Sequence, residues 1–209
     1  PTLASPHNIE ILGYADLVVH SLTKYAAIEG DVMMGALILN VRSRFHADLA
    51  PLVTAWGSSP GPGDLARLAA EIGDCGASMA VLNRNAAAVA AYLEGDPRVR
   101  QVYWAESAET RYHYNWLKHR LAGPGGILSF VPERPLADFY DASRLVKSPS
   151  FGTRFSMMCP FLYLAHYDLA GHEAGRARLR ASGLEPDLVR LSVGLEPAEA
   201  ILAELDRTL

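Results

Sequence analysis

Residues 15–25 constrain this chain more than any other segment, because they join a buried strand to a single lysine. Their sequence is ADLVVHSLTKY. The apolar run over residues 17–20, with its two adjacent valines, is typical of a β-strand. Ser21 and Thr23 then alternate with a leucine, so their hydroxyls are expected on one side just before Lys24. The pattern predicts a strand that ends in two hydroxyls and one amine.

An amine and two hydroxyls together could bind a phosphorylated aldehyde. Because Lys24 stands at the mouth of a buried strand, its amine is expected to be partly desolvated and to act as a nucleophile. The hydroxyls of Ser21 and Thr23 can donate hydrogen bonds to a phosphate. Pyridoxal 5'-phosphate uses both features, an imine at one end and an anion anchor at the other. Because S-x-T-K is short, an ordinary surface lysine after an edge strand is the open alternative.

Arg190 is the second unusual residue, because it interrupts an apolar strand predicted over residues 188–193. A buried guanidinium requires a partner, and its fork geometry matches a carboxylate in bidentate fashion. That partner is either one of the 23 acidic residues of the chain or the carboxylate of a bound ligand. The residues alone leave both alternatives open.

Composition indicates a globular protein and excludes several functions. The chain has 209 residues, of which 50% are hydrophobic and 20% charged, enough for the core of one or two domains. Its net charge of −4 gives no basic footprint for nucleic acid, and no apolar run is long enough for a membrane span. Cys75 and Cys159 lack C-x-x-C spacing and the histidines lack ligand spacing, so we expect no metal site and a reducing cytoplasm.

The remaining pattern alternates between short strands and helices, which predicts an α/β fold. Further strands are predicted over residues 34–40, 99–104, 127–131, 145–147, 155–159 and 188–193. Helices are predicted over residues 43–56, 64–93 with a break near 73–76, 109–121, 136–142, 173–181 and 197–208. Two near-continuous apolar strands, 17–20 and 34–40, predict a sheet covered on both faces.

The lysine segment resembles that of the cystathionine γ-synthase/methionine γ-lyase family of pyridoxal phosphate enzymes. The similarity extends to TLASP at residues 2–6 and to GDV at residues 30–32. RLSVGLE at residues 190–196 looks like the arginine signature of the family, and SFG at residues 150–152 resembles its S-L-G turn. The motifs occur in the family order, and the resemblance covers nearly the whole chain.

The resemblance implies fold type I of pyridoxal phosphate enzymes, the aspartate aminotransferase type. Residues 1–74 would form the end of the large cofactor domain, and residues 75–209 the small C-terminal α/β domain. Pro1 would lie about halfway along the family's polypeptide, so we expect a longer protein. Its N-terminal half would carry the aspartate for the pyridine nitrogen, the ring-stacking aromatic and a phosphate-binding glycine turn.

The resemblance also implies a role for each candidate site residue. Lys24 would hold the cofactor as a Schiff base and then move protons, while Ser21 and Thr23 would bind the cofactor phosphate. Arg190 and Ser150 would bind the α-carboxylate of a small amino-acid substrate. The family further implies a homotetramer built as a dimer of dimers.

Several positions depart from the family pattern near the expected substrate side chain. Glu29 stands where the family usually has histidine, Ser78 where it has arginine, and Phe155 where it has an acidic residue. The pair Cys159-Pro160 replaces His-Pro, and Arg154 is expected near the substrate together with Phe155. These changes leave the lysine and the carboxylate clamp intact but alter the surroundings that determine specificity.

Three functions are compatible with this sequence. The first prediction is γ-replacement on an activated homoserine-type substrate, as in transsulfuration, because the unusual segment over residues 153–160 indicates a specialised acceptor. The alternative is a γ- or β-lyase of sulfur amino acids, which needs the same lysine and clamp. The second alternative is a partner subunit that keeps the fold without the chemistry.

Overall fold

The chain forms two separate β-sheets with helices around them, and the computed structural model describes all residues from 1 to 209. The strands are β1 (Leu17–Ser21), β2 (Gly35–Leu39), β3 (Val99–Tyr103), β4 (Ile127–Pro132), β5 (Val146–Lys147), β6 (Met157–Cys159) and β7 (Val189–Ser192). The helices are α1 (His46–Trp56), α2 (Pro62–Glu71), α3 (Cys75–Gly95), α4 (Arg111–Leu117), α5 (Leu136–Ala142), α6 (Phe161–Ala165), α7 (Tyr167–Ala170), α8 (Glu173–Ala181) and α9 (Ala198–Thr208). No helix is both long enough and apolar enough to cross a membrane.

The lysine strand belongs to an antiparallel pair, β1 with β2. Val18 is buried, whereas Val19 is 68% exposed and Leu37 on the partner strand is also exposed. Within this chain the hairpin is covered on one face, and a sheet covered on both faces stays a prediction for the whole protein. Side chains of a strand alternate between two faces, and an apolar run does not reveal that one face lacks a covering element.

The larger sheet has five strands in the order β3-β4-β7-β6-β5, all antiparallel except the β5–β6 pair. One face carries the main core, in which buried side chains from α3, α5 and α9 pack on the strands. Phe130 and Leu191 are fully buried there, and Phe139 of α5 meets Phe130 edge to face at 5.5 Å between ring centroids. This core holds β7 rigidly in place.

The second face of this sheet carries Arg190. Its chain neighbours Val189 and Leu191 point into the core, so the alternation of side chains turns Arg190 to the opposite side. There it is paired in register with Ser129 of β4 and Cys159 of β6. The central strand of the sheet thus presents a guanidinium away from the apolar core.

Most predicted elements are present, with two informative differences. The predicted break near 73–76 is confirmed, because α2 ends at Glu71 and a 3₁₀ turn, Ile72–Asp74, leads into α3. The helix predicted over 109–121 is shorter, since Lys118 leaves it to form a β-bridge with Ile9. The helices α6 and α7 had no counterpart among the predicted elements.

Candidate active site

Lys24 and Ser150 meet although they are far apart in the sequence. The Lys24 Nζ donates a hydrogen bond of 2.9 Å to the Ser150 Oγ and lies 5.1 Å from the centroid of the Phe151 ring. Lys24 is half-buried and forms no ion pair with any carboxylate of the chain. Its amine is thus held in place without a counter-ion that would block it.

A glycine explains how the turn at residues 150–152 approaches the lysine so closely. Gly152 has φ +82°, and a Cβ at this position would lie 3.0 Å from the Tyr25 nitrogen and 3.1 Å from the Lys24 Cβ. The Gly152 N–H donates to the Ser192 Oγ at 3.1 Å, which ties the turn to β7. Only glycine combines this left-handed conformation with this contact.

Arg190 contacts the carbonyl groups of the turn at residues 150–152 and of the residue before it. Its Nη2 donates to the Ser150 carbonyl oxygen at 3.2 Å and also to the Pro149 carbonyl oxygen. Its Cζ lies 4.6 Å from the Phe161 ring centroid and 5.8 Å from that of Phe151. Arg190 forms no ion pair with any acidic residue of the chain, so the structural salt bridge left open by the sequence is absent. Burial lowers the pKa of the Arg190 guanidinium from its ordinary value.

The hydroxyls of Ser21 and Thr23 differ in their hydrogen bonding. The Thr23 hydroxyl donates to the Met34 carbonyl oxygen at 3.2 Å and accepts from the Met34 N–H at 3.0 Å. The Ser21 hydroxyl has no hydrogen-bond partner, while its N–H donates to the Thr2 Oγ1 at 3.0 Å. Ser21 therefore has a free donor for an anion, whereas Thr23 must first release the Met34 carbonyl.

A small cavity of about 200 Å³ opens beside Ser150. It is lined by Thr23, Glu29, Gly30, Val146, Ser148, Ser150, Thr153, Phe155 and Met157. Glu29 is the only charged residue in this lining, and its Oε1 lies 2.9 Å from the Arg154 Nη1. From the sequence, Glu29 is a departure from the family pattern and Arg154 is expected near the substrate side chain, but only their opposite charges indicated that they could pair.

The other candidates have structural roles. His20 is 6% exposed, its Nδ1 lies 3.5 Å from the Thr2 Oγ1, and burial lowers its pKa, so it is a packing residue of the hairpin. Cys75 and Cys159 are both free and buried, and burial raises the pKa of each thiol. The sequence did not predict the aromatic contacts of Phe161, because that residue lies in a helix it did not predict.

The Lys24 amine and the Arg190 guanidinium, neither of which forms an ion pair, both contact Ser150, and the free hydroxyl of Ser21 lies at the end of β1, three residues before Lys24. These groups fit an aldehyde cofactor with a phosphate and a substrate with a carboxylate. The family described as "Cys/Met metabolism PLP-dependent enzyme" matches residues 1–209. The chain belongs to this family, which implies pyridoxal 5'-phosphate as its cofactor.

Individual relatives agree with this assignment. The chain is 41% identical over 206 residues to an L-2-amino-4-chloropent-4-enoate dechlorinase/desaturase from Streptantibioticus cattleyicolor, covering 99% of this chain and 41% of that protein. It is 32% identical over 216 residues to a cystathionine γ-synthase from Neurospora crassa, covering 100% of this chain and 33% of the relative. The chain thus spans less than half the length of either relative.

Solved structures support the fold. A cystathionine γ-lyase from Micromonospora echinospora superimposes with a TM-score of 0.83 at 27% identity, covering 100% of this chain and 54% of that one. A cystathionine γ-synthase from Xanthomonas oryzae pv. oryzae, in complex with cystathionine, gives 0.81 at 30% identity and covers 98% and 52%. The predicted fold, type I of pyridoxal phosphate enzymes, is confirmed.

Proposed function

We propose that the whole protein is a pyridoxal phosphate enzyme that removes a γ-substituent from a small amino acid by elimination. The observation that carries this proposal is the convergence of Lys24 and Arg190 on Ser150. The Ser150 hydroxyl contacts the amine and its carbonyl contacts the guanidinium. An amino acid placed over Ser150 would thus meet both groups at once.

Each residue then has a distinct task. Arg190 and Ser150 bind and orient the α-carboxylate, which fixes the α-carbon next to Lys24. The Lys24 amine, held by Ser150, takes the α-proton and then a proton from the β-carbon, and the electrons of that C–H bond allow the γ-substituent to leave with its bonding pair. Ser21, with its free hydroxyl, and Thr23 donate hydrogen bonds to the cofactor phosphate. When bound, pyridoxal phosphate supplies the electron sink that makes the α-proton acidic.

The charges around the cavity favour elimination over replacement. A replacement enzyme that joins two amino acids has a second carboxylate to bind, which calls for another cation. Arg154 is the cation beside this cavity, and its guanidinium is already paired with Glu29 at 2.9 Å. The dechlorinase relative is named for a substrate with chlorine on C4, which is the γ-carbon, and this resemblance also supports elimination.

γ-Replacement is the second candidate function. It was the first prediction from the sequence, and the 32% identity to a cystathionine γ-synthase supports it. The two reactions share the lysine and the carboxylate clamp, so product analysis must separate them.

The test uses the full-length protein with pyridoxal phosphate. We expect a visible absorption band that Lys24→Ala abolishes and that the control Lys147→Ala on β5 retains. Borohydride should reduce the imine, remove the band and leave the cofactor covalently attached to Lys24. Incubation with 2-amino-4-chloropent-4-enoate should release chloride, and adding cysteine should yield no condensed product. A condensed product would favour replacement. A wild-type protein without the band would instead favour a non-catalytic partner subunit.

We also propose that the chain contains two structural units that meet at the start of α3, near Cys75. The 14-residue core lies entirely within residues 86–205, and a separate cluster of Ala26, Ala27, Val32 and Leu68 lies before the boundary. A third cluster joins Tyr25 to Cys75 and Met79. Native-state hydrogen exchange should reveal two cooperative units, 1–74 and 75–209, and one common unfolding event would contradict this boundary.

We further propose a homotetramer, as the family resemblance implies. Val19, Met33 and Val41 are 68%, 81% and 79% exposed, which leaves apolar surface on and near the lysine hairpin for other chain segments to cover. Light scattering of the full-length protein should give the mass of four chains, and a monomer would contradict the proposal.

A further inference from the structure

The cavity beside Ser150 carries a charge arrangement that is independent of the carboxylate clamp. The Glu29 carboxylate lines this cavity, and the Arg154 guanidinium pairs with it at 2.9 Å. The other eight residues of the lining are uncharged. Glu29 thus carries the only charge of the cavity wall, and Arg154 balances that charge from outside the lining, with the two side chains 43% and 58% exposed.

Backbone contacts hold this pair in place. The Arg154 N–H donates to the Ile28 carbonyl oxygen at 2.9 Å, and the Arg154 carbonyl accepts from Leu195 N–H at 2.7 Å. Next to Glu29, Gly30 has φ +78°, and a Cβ there would lie 3.0 Å from the Thr153 Cγ2. The loop after Lys24 and the segment after Ser150 are therefore joined through their backbones, which brings the Glu29 and Arg154 side chains within pairing distance of each other.

We infer that the Glu29–Arg154 pair is the specificity filter of this site and selects amino acids with an uncharged side chain. A substrate held by Arg190 and Lys24 over Ser150 has room for its side chain in the adjoining cavity. A distal carboxylate would face Glu29 and find Arg154 occupied, and a distal ammonium would have to displace Arg154. An uncharged group, such as a haloalkenyl chain, meets no such cost. This inference rests on the proposed function, because it names the substrate class of the same site.

L-Glutamine and L-glutamate provide the probes, because they have nearly the same size and differ in side-chain charge. Calorimetric titration of the full-length holoenzyme should give tighter binding of glutamine than of glutamate. Glu29→Gln frees Arg154 to pair with a carboxylate, so glutamate should bind about fivefold more tightly, with glutamine changed less than twofold. Arg154→Gln leaves Glu29 unpaired, so glutamate should bind about fivefold more weakly.

The opposite directions of these two shifts are the decisive feature. If the ion pair were merely structural, both variants would change the dissociation constant for glutamate in the same direction, and that result would overturn the inference. Asp31→Asn is the matched control, since it removes the neighbouring Arg67–Asp31 pair of 2.7 Å without touching the cavity, and it should change neither dissociation constant. If Glu29→Gln folds poorly, Arg154→Gln decides the question through both probes, because the filter predicts weaker binding of glutamate alone, whereas loss of a structural bridge would weaken the binding of glutamate and glutamine alike.

Binding and turnover separate this inference from the proposed function. If the wild type eliminates no γ-substituent but the two variants shift glutamate binding in opposite directions, the elimination is wrong and the filter stands. If chloride is released but glutamate binding is unaffected by both variants, the filter is wrong and the elimination stands.

Discussion

The Lys24 amine and the Ser150 hydroxyl form a 2.9 Å hydrogen bond across 126 residues of sequence. The bond joins the loop after β1 to the turn that precedes β6, and the same turn contacts Arg190 through its carbonyl groups. Ser150 is therefore the residue through which the two charged groups of the site are positioned relative to each other.

Replacing Ser150 by alanine should impair the reaction more than it impairs folding. The amine loses its only hydrogen-bond partner in the chain, and such bonds to charged groups contribute roughly 1.5–3 kcal/mol. We expect kcat/KM to fall about 10- to 100-fold, with the thermal midpoint almost unchanged. Steady-state kinetics check this against Ser182→Ala at the end of α8, which should behave as wild type. Equal losses in both variants would contradict the assigned role.

Arg190→Lys should raise KM without removing the cofactor. Lysine keeps the charge but lacks the planar fork that binds a carboxylate through two parallel hydrogen bonds. A loss of roughly 2–3 kcal/mol in binding corresponds to about 30- to 150-fold in KM. The absorption band should persist, since Arg190 forms no contact with Lys24 in the hydrogen-bond network. Arg120→Lys, at an exposed position, is the control, and a lost band in Arg190→Lys would argue against a substrate role.

Gly152→Ala should destabilise the protein by two separable effects. The left-handed φ of +82° costs about 1 kcal/mol for alanine, and the contacts at 3.0 and 3.1 Å with Tyr25 and Lys24 add to this. Gly183→Ala isolates the first effect, because Gly183 has φ +77° but nothing within 4 Å of its Cβ position. Chemical denaturation should show a larger loss at Gly152, by about 1–3 kcal/mol. Equal losses of unfolding free energy in Gly152→Ala and Gly183→Ala would mean that the neighbouring atoms of Lys24 and Tyr25 move aside without cost.

His20 should make the protein less stable as the pH falls. Burial lowers the pKa of His20 in the folded state, so the unfolded chain binds a proton more readily. The stabilisation is fully present above the unfolded pKa of about 6.5 and is lost as the pH falls toward the folded value. Free energies of unfolding measured from pH 7.5 to 5 should decline less in His20→Gln than in wild type. The exposed His113→Gln should keep the wild-type slope, and a parallel decline in all three proteins would refute the role of His20.

The local elements of the fold could largely be predicted from the sequence. The helices α5 and α8 have the predicted bounds, and the strand before Lys24 extends one residue beyond the prediction. These elements follow from apolar periodicity, which is a short-range property of the chain. The helices α6 and α7 are only five and four residues long, too short for a periodic pattern to develop.

The residue types of the candidate site could also be predicted, but their relationships could not. The sequence marked Lys24, Arg190, Ser150, Glu29 and Arg154 through their motifs and their departures from a family pattern. It did not reveal whether Arg190 had a structural counter-ion, or that Glu29 and Arg154 pair at 2.9 Å. Both answers depend on the packing of segments more than 100 residues apart. The sequence by itself determined the elements and the chemical groups, whereas only the tertiary structure decided which charges meet, because Coulomb energies and hydrogen bonds depend on distances in space.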